Sequence, residues 1–383
     1  MREELLIVIF LLLGPILDVL AFYNIPVSIV FRGLYLVGIT FSMVKNKKNI
    51  KMILALLLFS VGCFIYQLFK LDYGLISSVS NIFKYTYLPL SILYFKDFEF
   101  KKYDKRKVIS IIVFTYMSIL IISYLLGIGS NIYEEAVGKK GFKGVFASIN
   151  EFSAILVGAF ILMVDYFNKN KKYIFILLMI IGGTFCSMLL GTKILLGGVV
   201  FTLIYLGYLK RKDLLFHSKK RSIIVITSLV LVIVLGGFLF TKTSTYQNMV
   251  VQQKFFKAKN VLSYDYLNKV VFNDRLSFLE YNYKYYMKSD IPAKLMGVGF
   301  NDDYVKLVEI DIFDILFRYG IIGFGLFIAN LIIMPFKKLD SSEKVALVLF
   351  LVISLTSGHV LITPNVCIYI GLLFAKNKLV KIN

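Results

Sequence analysis

The chain has 383 residues, of which 58% are hydrophobic and only 17% charged, and its mean hydropathy is +0.77. In soluble domains about a quarter of the residues are charged, so this composition excludes a string of ordinary soluble domains. Uncharged apolar runs recur throughout, which predicts one integral membrane domain over residues 1–383. In such a protein the net charge of +21 reports basic loops, and we expect no nucleic-acid partner.

Apolar runs of membrane-spanning length follow one another from the start of the chain, since a bilayer core needs about 20 apolar residues per helix. They occupy residues 5–22, 25–44, 52–70, 75–95, 108–127, 149–167, 173–190, 194–209, 222–240, 312–334, 345–358 and 364–375. The first run is followed by another run rather than by a cleavage site, so we expect it to be retained. The last two are short, and residues 356–364 between them indicate a tight turn or a re-entrant pair. This pattern predicts an all-α polytopic fold with eleven or twelve transmembrane helices.

Basic residues mark alternate loops. Residues 45–51, 96–107, 168–172, 210–221, 335–344 and 376–383 contain 25 of the 44 basic residues and only six acidic ones. Cytoplasmic loops keep such an excess of Lys and Arg, so we expect these loops and both termini in the cytoplasm. The long segment 241–311 then lies outside; it has ten basic and eight acidic residues. Irregular connections of this length usually bind or catalyse, so this loop is the first place to look for function.

The large outer loop contains one predicted helix. Apolar residues recur at helical spacing between Leu276 and Met287, and Asn273 or Asp274 can cap the start. We interpret residues 273–287 as an amphipathic helix near the outer membrane interface.

Motifs for cofactors and metals are missing from the sequence. There is no glycine-rich phosphate loop ending in Lys-Ser or Lys-Thr, which argues against an ATP-driven pump. His217 and His359 are too few for a histidine-based metal cluster, and the three cysteines lie singly in apolar runs as small buried residues. The glycine-rich residues 320–325 lie in an apolar run and indicate a helix-packing face. We therefore expect neither metal nor cofactor.

Ionisable residues inside apolar runs are costly in hydrocarbon and need partners or a function. Asp165 lies near an inner end, where it can pair with nearby lysines. Asp18 and Arg32 lie in adjacent runs near the outer side, and they either pair or line a polar groove for a lipid head group. Lys84, in the middle of its run, is a candidate for a lipid phosphate.

Two shorter outer segments combine glycine with polar side chains. Residues 141–151 place Gly144 and Asn150 at the entrance to a membrane helix. Residues 191–193 form a minimal Gly-Thr-Lys turn, in which Lys193 either meets a lipid phosphate or only extends its charge into the interface.

Taken in order, these motifs resemble the O-antigen ligase and O-antigen polymerase superfamily of bacterial membrane glycosyltransferases. The matching features are Gly144 with Asn150 entering a helix, the cationic turn at residues 191–193, Arg275 opening the loop helix, Gly297-Val298-Gly299, and an acid-rich approach to Tyr319-Gly320-Ile321-Ile322-Gly323. The resemblance is clearest over residues 141–323, and the helix number and the position of the large loop extend it to the whole chain.

The resemblance implies a glycosyltransferase of the C type in the bacterial cytoplasmic membrane. Its donor is a glycan linked to undecaprenyl pyrophosphate, used on the outer face without metal or nucleotide sugar. The implied partners are this donor, a glycan acceptor, the lipid bilayer, a chain-length regulator and a flippase. Two positions depart from the ligases, which commonly carry Arg where this chain has Lys193 and His where it has Glu309. The absent histidine favours a polymerase over a lipid A ligase.

The implied mechanism requires cations at the pyrophosphate and a base at the acceptor hydroxyl. Arg275 is the first candidate for the pyrophosphate because a guanidinium grips phosphate oxygens bidentately; Lys193 and Lys84 would support it. Glu309 is the expected base, with Asp311 in reserve. The structural alternative for these two acids and for Asp314 is a solvated, capping role at the first turn of the next helix.

The implied substrate groove is lined by Asn150, Gly144 and Arg32. Three other functions remain open at this point. A ligase of the same superfamily would move a finished glycan to another acceptor, and a polysaccharide flippase or other transporter would place polar groups near the bilayer midplane. A scaffold protein is the third alternative, but such a protein would not require Arg275, Lys193 and Glu309 together.

Overall fold

The computed structural model describes residues 2–71, 74–132, 141–215, 246, 263–266, 268–269, 272–299, 307–332 and 336–377. The helices are α1 (Arg2–Phe22), α2 (Val27–Lys45), α3 (Ile50–Phe69), α4 (Leu75–Phe95), α5 (Lys105–Leu125), α6 (Ile149–Lys169), α7 (Tyr173–Leu190), α8 (Lys193–Leu215), α9 (Arg275–Lys288), α10 (Ile291–Met296), α11 (Asp311–Ile332), α12 (Ser341–Thr356) and α13 (Pro364–Leu373). Single helical turns lie at Tyr264–Tyr266 and Phe336–Lys338, and four short strands are β1 (Glu99–Phe100), β2 (Ser130–Asn131), β3 (Phe142–Gly144) and β4 (Lys376–Asn377).

The predicted apolar runs correspond to helices wherever the structure describes them. Within that part of the chain, eight helices are long and apolar enough to cross a membrane: α1, α2, α3, α5, α6, α7, α8 and α11. The predicted run at residues 222–240 lies outside the described residues. The prediction of an all-α polytopic membrane protein is confirmed, since the described strands have only two or three residues each.

The chain divides into two compact units. One consists of Met1–Lys105 with Asn260–Asn383, and the other of Arg106–Lys259. The single domain predicted for residues 1–383 stays a prediction, as does the assignment of residues 241–311 to the outer side.

Helix α4 is the centre of the first unit. It packs against α2, α3, α11 and α13, and every residue of its second half, from Tyr85 onward, is buried. Two tyrosine hydroxyls connect α4 to α11: Tyr85 donates to the carbonyl of Gly323 at 2.7 Å, and Tyr319 donates to that of Asn81 at 2.6 Å. Buried hydroxyls need such partners, and these hydrogen bonds set the position of α11 along α4.

A group of polar contacts connects the start of α1 with β1, β4 and the start of α12 within the first unit. Strands β1 and β4 pair in parallel, and the Glu4 carboxylate accepts the backbone N–H groups of Lys101, Lys102 and Tyr103. Beside them the buried ammonium of Lys105 lies 2.7 Å from Glu343. A buried lysine is tolerated when it is paired in this way.

Helix α11 is broken at Gly320. This residue has φ +67, and the remainder of the element is helical on either side of it. The Gly297-Val298-Gly299 motif packs against the break: Val298 N–H donates to the carbonyl of Phe317 at 2.8 Å. A Cβ on Gly297 would lie 2.0 Å from the carbonyl oxygen of Arg318, so only glycine permits this approach.

The second unit is built around α6, which packs against α7 and α8. Glycine allows close contact at both neighbours, because a Cβ on Gly183 would meet the Phe160 ring at 2.8 Å and one on Gly198 would meet Val157 at 2.2 Å. Asp165, near the end of α6, pairs with Arg106 and with Lys169, as expected for a carboxylate at the end of a membrane helix.

Candidate functional site

The loop helix predicted over residues 273–287 exists as α9. Asp274 stands at its N-cap, but its side chain makes no capping hydrogen bond. The cap comes instead from Asn268, whose side-chain oxygen accepts the N–H of Leu276 at 3.0 Å while its amide donates to Ser277 at 2.7 Å. This contact comes from further back along the chain than local capping patterns reach.

Arg275, the first residue of α9, is buried and its guanidinium is held by main-chain oxygens. Nη1 donates to the carbonyl of Thr356 at 2.8 Å, with Phe272 at 3.4 Å, and Nη2 reaches the carbonyl of Ser357 at 3.4 Å. Nη2 also donates to Oε2 of Glu309 at 2.7 Å, forming an ion pair. The structure therefore joins two residues, 34 positions apart, that the sequence predicts to act in one reaction.

Asp311, at the start of α11, is completely buried. Its Oδ1 accepts the N–H of His359 at 2.7 Å, and its Oδ2 accepts those of Val360 and Leu361, both at 2.8 Å. With three backbone donors on its two oxygens, this carboxylate holds the loop between α12 and α13. The geometry favours a positioning role for Asp311 over the reserve role of base.

Asp314, one turn further along α11, also binds backbone N–H groups. Its oxygens accept the N–H groups of Val308 and Glu309, both at 2.9 Å, and it lies 3.8 Å from Nε of Arg318. It thereby holds the backbone just before α11, which presents Glu309.

Glu309 and His359 both adopt left-handed backbone conformations, with φ of 59° and 58°. Few residues other than glycine do so, and the strain persists only where the surroundings impose it. Here Asp314 accepts the N–H of Glu309 and Asp311 accepts that of His359. Gly358 packs so closely that a Cβ on it would lie 2.7 Å from the carbonyl oxygen of Glu309. The segments that contain Glu309 and His359 are therefore in close contact. We call Arg275, Glu309, Asp311 and His359 the Arg275 cluster.

His359 is the member of the cluster that the sequence analysis misses. The sequence suggests it only as a metal ligand, yet the charges of Glu309 and Arg275 both act on His359, which lies in a loop that the sequence indicates as a tight turn. Burial lowers the pKa of His359 below its ordinary value, the Glu309 carboxylate opposes this, and the charges of Arg275, Lys84 and Arg318 reinforce it. This shift favours the neutral imidazole. Its position in a Ser-Gly-His turn between two short apolar runs is the available signal.

Lys84 and Arg32 lie in the same unit. Lys84 is half-buried on α4, close enough for its charge to act on His359. Arg32 forms an ion pair with Asp18, one of the two alternatives that the sequence leaves open, and the Asn365 amide donates to the same carboxylate oxygen at 2.7 Å.

Three candidate residues belong to the second unit. Lys193 is the exposed first residue of α8, shortly after the left-handed Gly191 that ends α7. Asn150 is half-buried in the first turn of α6, after the Ser148 cap. Gly144 ends β3 with φ +61, where a Cβ would lie 3.1 Å from Leu120. These positions do not test the roles predicted for Lys193, Asn150 and Gly144, which stay predictions.

Residues 247–382 match the model of the O-antigen ligase like membrane protein family. Over these residues the chain is similar to that family. No curated protein matches the chain. The match confirms the predicted resemblance over the C-terminal part of the chain and includes the whole Arg275 cluster.

Together with the apolar helices, the family match indicates a multi-pass membrane protein. It also supports a membrane glycosyltransferase that acts in polysaccharide synthesis. Residues 141–246 lie outside the match, so their resemblance stays a prediction.

Proposed function

We propose that this protein polymerises oligosaccharide repeat units linked to undecaprenyl pyrophosphate into a surface polysaccharide, such as capsule, exopolysaccharide or O-antigen. The reaction would take place on the outer face of a bacterial cytoplasmic membrane. The observation that carries the proposal is the 2.7 Å contact between Arg275 and Glu309 within the family-matched region. It supports the proposal because a guanidinium can bind phosphate and a carboxylate beside it can accept a proton.

The chemistry assigned to the Arg275 cluster is a single displacement. The acceptor hydroxyl gives its proton to Glu309, its oxygen forms a bond to the anomeric carbon of the donor, and the bond from that carbon to the pyrophosphate oxygen breaks. Arg275 stabilises the negative charge that develops on the leaving pyrophosphate. Because Arg275 acts on the donor and Glu309 on the acceptor, a site that contains both also orients the two substrates toward each other.

The other residues have supporting roles in this proposal. Asp311 positions the loop that carries His359, and Lys84 adds positive charge that acts on His359. Lys193 would also meet donor phosphate, while Asn150, Gly144 and Arg32 would line the substrate groove. A flippase would deliver the donor and a chain-length regulator would act on the product.

Ligation is the second candidate, because the matched family is named for ligase-like proteins. A ligase would use the same donor site and differ only in its acceptor. Polymerisation is favoured here by Glu309, which stands where the resemblance places histidine in ligases.

The test is reconstitution of the purified protein in liposomes with a repeat unit linked to undecaprenyl pyrophosphate. We expect a ladder of products from the wild type and at least a hundredfold less from Arg275→Ala, since one charged contact to a transition state is worth about this factor. Lys288→Ala, which removes an exposed cation from the same helix, is the matched control and should keep the ladder.

Other outcomes decide between the alternatives. A single transfer to an added acceptor indicates a ligase, and movement of intact donor without product indicates a transporter. Full activity of Arg275→Ala would contradict the pyrophosphate assignment.

A further inference from the structure

The Arg275–Glu309 ion pair occupies both partners at once. A guanidinium bound to a carboxylate is not available to a phosphate, and a carboxylate bound to a guanidinium is a weaker proton acceptor. Under the proposed function, the arrangement described here is therefore a resting state that must open before reaction.

The two partners differ in how firmly they are held. The Arg275 side chain is only 10% exposed, and main-chain oxygens of Thr356, Ser357 and Phe272 hold its guanidinium. The Glu309 side chain is 32% exposed, and within the described residues its Oε1 has no hydrogen-bond partner. Arg275 is therefore the fixed member and Glu309 the movable one.

Arg275 also has an unfilled place for an acceptor. Its Nε is buried, and it has no hydrogen-bond partner among the described residues. A buried donor left without an acceptor costs free energy, so a ligand that supplies one gains affinity. A phosphate has several oxygens and can accept from Nε as well as from Nη2, where Glu309 supplies one oxygen to Nη2 alone.

We propose that Glu309 is an internal stand-in for the donor phosphate, which displaces it from Arg275 and thereby releases the carboxylate for proton transfer. The released carboxylate remains beside His359, since Gly358 packs against its backbone. Donor binding would then precede activation of the acceptor. A hydroxyl, including that of water, would meet the freed base only after the pyrophosphate is in place.

This inference rests on the proposed function, and it makes a prediction that the function alone does not. Removing the Glu309 charge should strengthen donor binding while it abolishes turnover. A base that did not compete for Arg275 would leave donor affinity unchanged when replaced.

The experiment measures equilibrium binding of undecaprenyl pyrophosphate to the purified full-length protein, with undecaprenol as the probe that lacks phosphate. We expect Glu309→Gln to bind the pyrophosphate roughly threefold to fivefold more tightly than the wild type, which is the upper part of the range for release of a partly exposed ion pair. Undecaprenol binding should not change.

Two further variants make the result decisive. Glu309→Gly removes the side chain and suits the left-handed backbone, so it should tighten binding as well. Glu280→Gln removes the same charge from an exposed ion pair on α9 and should leave affinity within about twofold. Unchanged affinity in both Glu309 variants would overturn the inference.

Arg275→Ala separates this inference from the proposed function. Loss of pyrophosphate binding in Arg275→Ala, together with unchanged affinity in Glu309→Gln, would keep the phosphate site and reject the displacement. Unchanged binding in Arg275→Ala would reject the phosphate site itself.

Discussion

Asp311 is a buried carboxylate that holds the backbone beside Glu309 and His359. It is three residues from Asp314 and two from Glu309, so the sequence offers three acids of similar promise. Their surroundings separate them: Asp311 accepts three backbone N–H groups and is fully buried, whereas Glu309 is partly exposed and pairs with Arg275 through one oxygen. Accessibility and unfilled acceptor positions make Glu309 the better base.

Asp311→Asn should therefore destabilise the protein. The amide group would turn an NH₂ toward backbone donors that now face an oxygen, leaving either the N–H of His359 or those of Val360 and Leu361 without an acceptor. We expect the free energy of unfolding to fall by about 2–4 kcal/mol, measured by denaturation in detergent.

Asp290→Asn is the control for this substitution. Asp290 caps α10 through the N–H of Ala293, and asparagine caps a helix about as well, so stability should be nearly unchanged. If Asp311→Asn kept full stability and lost all polymer formation, Asp311 would be a reacting group.

At the scale of the element, the glycines of α11 have different tasks that their sequence does not separate. The sequence predicts a packing face over residues 320–325, and Gly323 fits this, since a Cβ there would meet the Phe59 ring at 2.6 Å. Gly320 instead breaks the helix with φ +67 to admit the Gly297 segment, and a Cβ on Gly325 would meet no described atom within 4 Å. The tertiary contacts, not the glycine spacing, decide which is which.

Gly320→Ala should be strongly destabilising. Its Cβ would lie 2.3 Å from the carbonyl oxygen of Leu295, and its φ is unfavourable for alanine. We expect a loss of about 2 kcal/mol or more in unfolding free energy, with reduced polymer formation because the Arg275 cluster is at the other end of the same half-helix.

Gly325→Ala, further along α11, tests the explanation. Alanine favours a helix and meets no described neighbour there, so stability should be unchanged or slightly higher. Equal effects at the two positions would show that the break at Gly320 is not required.

At the scale of the whole molecule, the alternation of basic loops is the basis for the proposed orientation. It puts residues 45–51 in the cytoplasm and α9 outside. The three native cysteines, Cys63, Cys186 and Cys367, are buried, so new cysteines can be labelled selectively.

We expect a membrane-impermeant maleimide to label Tyr281→Cys in intact cells, because this position on α9 is 55% exposed. Lys47→Cys, in the exposed connection between α2 and α3, should react only after the cells are opened. Labelling of Lys47→Cys in intact cells, with Tyr281→Cys protected, would reverse the orientation and exclude the outer-face reaction.

Much of the fold follows from local pattern. Apolar runs identify the helices that the structure describes, and helical spacing identifies α9 to within two residues at its start. Asp274 lies at the N-cap position, as predicted, but its side chain makes no capping hydrogen bond; the N–H of Leu276 is bound by Asn268, and this contact depends on the path of the preceding loop. For the site, residue chemistry selects Arg275 and Glu309 but passes over His359.

The sequence by itself determined that the chain spans a membrane, where its helices lie, and which charged residues are candidates for chemistry. These properties depend on hydrophobicity and charge summed over about 20 neighbouring residues. Only the tertiary structure decided that Glu309 pairs with Arg275, that Asp311 binds the loop at His359, and that Gly320 breaks a helix. Those contacts join residues up to 50 positions apart, and their geometry depends on how several helices pack together.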